Sequence, residues 1–370
     1  MSADGPLADI RVLDAASVVA GPGTAKYLAD FGADVIKIER PEGDTTRNLG
    51  WTDPRDGVSL FWKLVGRGKR TITLDLKSDV GLAHMRRLCA EADVLIENFR
   101  PGTLERLGLA PDDLLRDNPT LVILRVTGFG QDGPYANRPG FATMAEAMSG
   151  FAALNGEPDG APILPPIALT DEVTALVGAF AVMVALHSGV GQVVDVNLLE
   201  SLFQLMGPLP STYALNGYEQ PRLGSGIPYT VPRGTYRTKD GRWVAVSTSA
   251  ETVARRVMEM IGVGDDPRFT TFQGRVEHRD EVEQLMADWI AACTQQEVLD
   301  AFEAAQAAIA PVLTMADIAG DPHYRAREVI TEVDGVPMQN LVARLSKTPG
   351  RIRWAGRPLG ADNDDVLRDS

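Results

Sequence analysis

The 370-residue chain carries 36 Lys and Arg against 50 Asp and Glu, a formal net charge of −14. Its 44% hydrophobic and 23% charged residues exclude wholesale disorder. The acidic balance argues against nucleic acid or anionic membrane as a partner, because the chain's own field repels polyanions. Two cysteines, Cys89 and Cys293, exclude a disulfide framework and lead us to expect a cytoplasmic protein.

The start, MSADGPLADI, has neither a basic nor an apolar run, so no secretory leader is expected. Residues 10–14 (IRVLD) then read as a buried strand, Gly21-Pro22-Gly23 as a turn, 24–31 as a helix and 34–39 (DVIKIE) as a second strand. The alternation recurs with a strand at 71–76 (TITLDL), a helix at 80–90 and a strand at 94–98 (VLIEN). A short helix near Thr103 and a strand at 121–127 (LVILRVT) follow. Strands alternating with helices at this spacing predict a doubly wound, Rossmann-like α/β domain on a parallel sheet.

A glycine- and proline-rich loop follows at 128–140, then a predicted helix at 141–154 and an apolar helix opening near Asp171. The most apolar run, 175–186, is twelve residues long, below the roughly 18 a membrane span needs, so a buried core helix is expected. Residues 192–196 read as a strand and 198–215 as a helix. The stretch 217–232 has the Gly and Pro content of a linker, and 234–247 reads as a hairpin turning at Lys239-Asp240-Gly241. Two or three amphipathic helices between 250 and 307 complete a smaller α+β domain. The expected division is a large domain at 1–215 rejoined by about 320–370, a linker at 216–232 and a small domain at 233–310.

Four histidines and two cysteines lack metal-ligand spacing, so no metal site is expected. Gly66-Arg67-Gly68-Lys69-Arg70 lacks the first glycine and the Ser/Thr of a phosphate-binding P-loop. A nicotinamide enzyme is the competing reading, from Gly21-x-Gly23 and Glu39. However, Lys26 stands where that fingerprint needs a small residue for helix and sheet to approach. Lys63, Arg67, Lys69 and Arg70, with Arg40, Arg47, Arg100 and Arg106, cluster in loops beside successive strands. In an acidic chain this cluster points to a small phosphorylated ligand at the carboxyl ends of the strands.

Several long segments carry a resemblance to a known family. They are RVLDAASVVAGPGTAKYLADFGADVIKIERPEGD, GKRTITLDLKS, ADVLIENFRPGTLERLGL, GFGQDGPYANRPGFATMAEAMSGF, LTDEV, GQVVDVNLLES and SKTPGRIRWAGRPLGADNDDVL. With these the chain resembles the class III CoA-transferases, which include formyl-CoA transferase, the carnitine CoA-transferases and the α-methylacyl-CoA racemases. The resemblance implies an interlaced homodimer that moves CoA between an acyl-CoA and a small carboxylic acid, with no prosthetic group. It implies CoA contacts at Val18, Ala20, Arg40, Leu74, Lys77, Asn98, Phe99 and Arg106, and a nucleophilic aspartate at Asp171.

From its position alone, an acid opening an apolar helix is a cap or a dipole complement. The helix end would also hold Asp171 ionised for attack, with Glu172 as the neighbouring alternative. Phe141, Met144 and Glu146, with Met148 and Phe151, are candidates for the acyl pocket. Gly224-Ser225-Gly226 lies where relatives carry a glycine-rich lid, or is a simple turn. The racemases resembled here use a histidine where this chain has Phe141, which cannot exchange a proton, so transfer is expected rather than racemisation. A non-catalytic acyl-CoA-binding protein is the further alternative.

Overall fold

The computed structural model describes residues 5–368; the first four residues of the N-terminal stretch read above lie outside them. The chain divides into two compact units. One is built from the chain up to Phe151, Pro165–Gly207 and Tyr324 onward; the other takes Ala152–Leu164 and Pro208–His323.

The first unit is organised on six strands: β1 (Arg11–Asp14), β2 (Asp34–Glu39), β3 (Arg70–Thr73), β4 (Val94–Glu97), β5 (Val122–Thr127) and β6 (Gln192–Asn197). All pair in parallel, in the order β3-β2-β1-β4-β5-β6. Connecting them are α1 (Ala20–Asp30), α2 (Leu60–Val65), α3 (Asp79–Glu91), α4 (Thr103–Arg106), α5 (Pro111–Asp117), α6 (Ala142–Met148) and α8 (Leu169–Ser188), while α7 (Phe151–Leu154), between α6 and α8 in the chain, belongs to the second unit from Ala152 on. The short α9 (Leu198–Phe203) follows β6.

Successive strand residues point to opposite faces, and both faces are covered, which is why the strands read as near-continuous apolar runs. Val12, Val35, Ile96 and Leu124 pack with Leu28 of α1 and Val182 of α8. On the other face Leu13, Ile36, Leu95 and Ile123 pack with Met85 of α3 and Leu114 of α5. The chain returns late to this unit. The Arg351 N–H donates to the Asp30 carbonyl (2.8 Å), and Asp362 accepts from the Thr71 N–H (2.8 Å) beside β3.

Several sequence boundaries move. The helix expected at 24–31 begins at Ala20, so Gly21, Pro22 and Gly23 form its first turn instead of preceding it. Proline is tolerated there because that N–H has no helical partner. The strand expected at 71–76 is Arg70–Thr73. The helix expected at 141–154 is broken at Ser149-Gly150, with Gly150 at φ +92°. The helix expected at 198–215 is interrupted at Gly207-Pro208, with Gly207 at φ +56°.

The apolar helix, expected to open near Asp171 and to contain the twelve-residue run 175–186, begins at Leu169 and runs to Ser188. α8 has 20 residues and ends in the left-handed Gly189. It is the one described helix long and apolar enough, by length and composition, to cross a membrane. The expectation of a buried core helix holds for one face only. Thr174, Ala175, Gly178, Val182 and Ala185 are buried, whereas Leu176, Phe180 and Val184 are exposed, Phe180 by 71%.

In the second unit β7 (Arg233–Arg237), β8 (Trp243–Ser247) and β9 (Ile309–Pro311) form an antiparallel sheet. Helices α10 (Leu209–Asn216), α11 (Glu251–Met260), α12 (Phe272–Glu277), α13 (Arg279–Ala291) and α14 (Gln295–Ala304) accompany it. Four helices, not two or three, therefore fall between 250 and 307. Val244, Val257, Phe269, Met286, Ile290 and Phe302 form its core. Residues 208–232, expected in the large domain and a linker, belong to this unit. Arg279 donates to the carbonyls of Ile227 and Pro228, and the Gly224 N–H bonds the Gly156 carbonyl. The Ser225 and Thr235 hydroxyls are 3.0 Å apart. The Gly224-Ser225-Gly226 segment is thus a turn tied down within its own unit.

Candidate active site

The expected basic patch dissolves in the structure. Lys63 bonds Asp53 and Asp56 (both 2.6 Å), Arg67 pairs with Asp30 (2.5 Å), Lys69 with Asp14 (2.7 Å), Arg70 with Asp34 (2.6 Å) and Arg47 with Glu39 (2.7 Å). The sequence shows these cations without the acids that fold against them, so their clustering is structural. Arg40 keeps only a marginal pair with Glu42 at 4.0 Å. Among the described residues Lys77, Arg100 and Arg106 have no ion pair.

Strand order reverses between β1 and β4, and the loops leaving their carboxyl ends separate to form the crevice typical of open parallel sheets. Two cavities open there, of about 360 and 660 Å³, sharing Ser17, Val18, Phe99 and Phe141 in their walls. The loop between them is clasped. The Ser17 N–H donates to Asn98 Oδ1 (2.9 Å), and Asn98 Nδ2 donates back to the Ser17 carbonyl (2.7 Å). The buried Lys37 ammonium donates to the Ala16 carbonyl. Val18 is held at φ +68°, a left-handed conformation that costs a β-branched residue about 1–3 kcal/mol. Such strain persists only where surrounding contacts over-determine the backbone, as this clasp does.

The larger cavity is walled by Arg40, Leu74, Lys77, Val18 and Phe99 from the sequence-derived set. Ala20 and Asn98 line the smaller one instead. Arg106 lines neither; its guanidinium donates to Thr103 Oγ1 (2.6 Å).

Asp171 lines the smaller cavity, together with Val19, Ala20, Phe141 and Leu198. The packing of α1 against α8 puts it there. A Cβ at Gly23 would fall 2.8 Å from the Ala175 methyl, and one at Gly178 would fall 2.5 Å from Thr24 Oγ1. Thr24 Oγ1 also bonds the Ala175 carbonyl across this contact (3.1 Å). The capping expectation fails, since Ala168 is the N-cap residue and Asp171 sits three positions inside the helix. Asp171 receives no hydrogen bond from any described residue. Burial, followed by the nearby charges of Glu146 and Glu172, pushes its carboxyl up to about 6. Asp171 does lie in the first turn of α8, but its surroundings make it harder to ionise than a free carboxyl.

Glu172 is engaged elsewhere, accepting from the Tyr27 hydroxyl (2.7 Å) and the Lys26 ammonium (3.3 Å). Lys26, which spoiled the dinucleotide fingerprint, is therefore a buried partner of Glu172. Of the expected pocket residues only Phe141 lines the cavities. Met144 is exposed, and Glu146 is buried, accepting from the Thr170 hydroxyl at 2.9 Å. Tyr27 and Thr170, and the pairing of Lys26 with Glu172, are not legible in the sequence because the partners lie 24 to 146 residues away. Arg138 also lines the smaller cavity, from the 128–140 loop. Its one sequence signal is a lone cation in a glycine-rich loop after a strand.

An open parallel sheet, a crevice at its strand ends and a half-buried carboxylate in the crevice wall define an α/β protein with a ligand site at the point where strand order reverses. The chain belongs to CoA-transferase family III, whose model matches residues 7–363. It is 40% identical to the succinyl-CoA–L-malate CoA-transferase beta subunit of Chloroflexus aurantiacus, over 98% of this chain and 94% of that one. It is 38% identical, with the same coverage, to the succinyl-CoA–D-citramalate CoA-transferase of that organism. Among solved structures, a CaiB/BaiF family protein from Brucella suis matches with a TM-score of 0.87 and 31% identity, covering 98% of this chain and 99% of that one. The protein is a CoA-transferase, moving CoA between an acyl-CoA and a carboxylic acid.

Proposed function

We propose that Asp171 is the nucleophile of this transfer and that the acids exchanged are small dicarboxylic acids. One observation carries the first half: among the residues lining the smaller cavity Asp171 is the only acid. The names of the relatives support the second, since succinyl-CoA is their donor and malate or citramalate their acceptor.

The carboxylate attacks the donor thioester carbonyl, giving an acyl-aspartyl anhydride and CoA thiolate. The thiolate attacks the aspartyl carbonyl, releasing the donor acid and leaving an aspartyl-CoA thioester. The acceptor carboxylate attacks that thioester to form a second anhydride. CoA thiolate then attacks the acceptor's acyl carbon and frees Asp171. The activation of the thioester is conserved throughout. The N-terminal turn of α1 has no side-chain cap and no acid. Its N–H groups beside Ala20 are the donors we assign to the oxyanion formed at each attack.

CoA itself fits the larger cavity, with Arg40 and Lys77 toward its phosphates and Leu74, Val18 and Phe99 against its apolar arm. A racemase needs an acid or base on each face of the substrate α-carbon. With Asp171 as the only titratable carboxyl or imidazole in the cavity wall, transfer is the reading supported. The exposed stripe of Leu176, Phe180 and Val184 on α8 supports the interlaced homodimer implied by the resemblance. The two unpaired cysteines agree with a reducing, cytoplasmic setting.

The test is to incubate the enzyme with succinyl-CoA, quench with hydroxylamine and map the peptides by mass. A hydroxamate at Asp171 is expected. Undiminished transfer by Asp171→Ala sinks the assignment.

A further inference from the structure

The Asp171 cavity has a second charged feature that the transfer chemistry leaves unused. Two cations, Arg100 and Arg138, line its mouth, both exposed to solvent, and neither has an ion pair among the described residues. Most of the other arginines near this sheet are paired, in a chain with 50 acids to 36 bases. An exposed guanidinium at the mouth of a cleft is solvated while the cleft is empty and is free to exchange that water for a ligand carboxylate.

The two arginines differ in how firmly they are held. The Arg138 guanidinium carbon lies over the Tyr135 ring, 3.9 Å from its centroid, and Tyr135 meets Phe129 edge-on at 5.9 Å. The Arg138 N–H bonds the Tyr135 carbonyl (2.8 Å). The loop that carries it is pinched at its base, where a Cβ on Gly128 would fall 2.7 Å from Gly140 Cα. Stacking occupies the face of the guanidinium and leaves its in-plane N–H fork for a carboxylate. Arg100 has no such support, and it follows Phe99, which also lines the larger, CoA-directed cavity.

We propose that Arg138 reads the free carboxylate of a dicarboxylic acyl group whose other carboxyl is activated at Asp171. Resting on the reading of Asp171 given above, this assigns the choice of acid to one side chain. Activation consumes the charge of one carboxyl. A monocarboxylic acyl group then leaves Arg138 unmatched, whereas a dicarboxylic one keeps a single negative charge for it. The cation also offsets the repulsion between an incoming dianion and the Asp171 carboxylate. Arg138 is a specificity residue and takes no part in bond making.

The test is isotope exchange between labelled succinate and succinyl-CoA, and separately between labelled butyrate and butyryl-CoA, acids of equal length that differ in the second carboxylate. Wild-type enzyme should favour the succinate pair. Arg138→Ala should lose roughly 10- to 100-fold on that pair, through KM, and change by less than about threefold on the butyrate pair. Arg138→Lys should fall between, and Arg100→Ala should affect both pairs alike. Equal losses by Arg138→Ala on both pairs, or a selective loss in Arg100→Ala instead, overturns the assignment. Unchanged exchange in Asp171→Ala would show that the underlying reading had failed. Arg138→Gln, compared by thermal melting, guards against misfolding of the alanine variant.

Discussion

The Tyr27 hydroxyl donates to Glu172 at 2.7 Å, with the Lys26 ammonium on the same carboxylate. This contact separates two adjacent acids on α8: Glu172 is spent on α1, and Asp171 alone faces the cavity. Asp171→Asn should therefore abolish transfer, by at least about 10³-fold in kcat, while Glu172→Gln keeps most of it. Burial and two like charges penalise ionised Asp171 at neutral pH. The same Asp171→Asn variant should thus be more stable than wild type, by about 1–3 kcal/mol. Steady-state kinetics and thermal melts at pH 7.5 check both halves.

The pH profile follows from the same carboxyl. Asp171 attacks only when ionised, and its pKa is raised to about 6. About a tenth is ionised at pH 5 and about nine-tenths at pH 7, so kcat/KM should climb through that window and level off above it. The stability linkage has the opposite sign. A carboxyl whose folded pKa exceeds its unfolded value stabilises the fold most below about pH 4, and that contribution fades as pH rises through 6. A flat rate between pH 5 and 7 would contradict this assignment.

Arg40 and Lys77 in the wall of the larger cavity give a binding prediction. Each charge-assisted contact to a phosphate contributes about 1.5–3 kcal/mol. Arg40→Ala and Lys77→Ala should each raise KM for acyl-CoA by roughly 10- to 100-fold while kcat changes little. Titration with CoA and with 3′-dephospho-CoA would tell which of the two serves the 3′-phosphate, since that variant no longer discriminates between the ligands.

Lys69 is wholly buried, bonding Asp14 at 2.7 Å and the Pro22 carbonyl at 2.6 Å. Removing Lys69 takes the 2.7 Å partner from buried Asp14 and leaves it the Lys37 ammonium at 3.8 Å, so the loss should stay at or below the about 3–5 kcal/mol of a buried charge left wholly unpaired. Lys69→Met should lower the unfolding free energy by up to that much, read as the shift of the denaturant midpoint multiplied by the m-value. Arg70→Ala, whose pair with Asp34 is partly open to solvent, should cost no more than about 1 kcal/mol. A phosphate-binding Lys69 would show the reverse, weaker CoA binding with stability intact.

Much of this protein was legible in its residues. The βα alternation, a parallel sheet from the first five strands, a strand at 192–196 and the placing of Asp171 at the head of an apolar helix follow from local periodicity and from long matching segments, both of which are properties of contiguous sequence. The helix breaks at Gly150 and Gly207 were also written locally, yet the apolar pattern carried across them hid the φ reversal each glycine adopts.

What the tertiary structure alone decided is the state of the charges. Lys63, Arg67, Lys69 and Arg70 form one basic run in sequence, yet each folds onto acids the run does not contain, Asp14 lying 55 residues from Lys69. Asp171 and Glu172 are equivalent as letters, and the close approach of α1 to α8 gives one a phenol and an ammonium and leaves the other half-buried in a cavity wall with no partner for its carboxyl among the described residues. Periodicity is fixed by neighbours along the chain, whereas Coulomb energy and desolvation depend on distance through space, which exists only once the sheet has closed its layers.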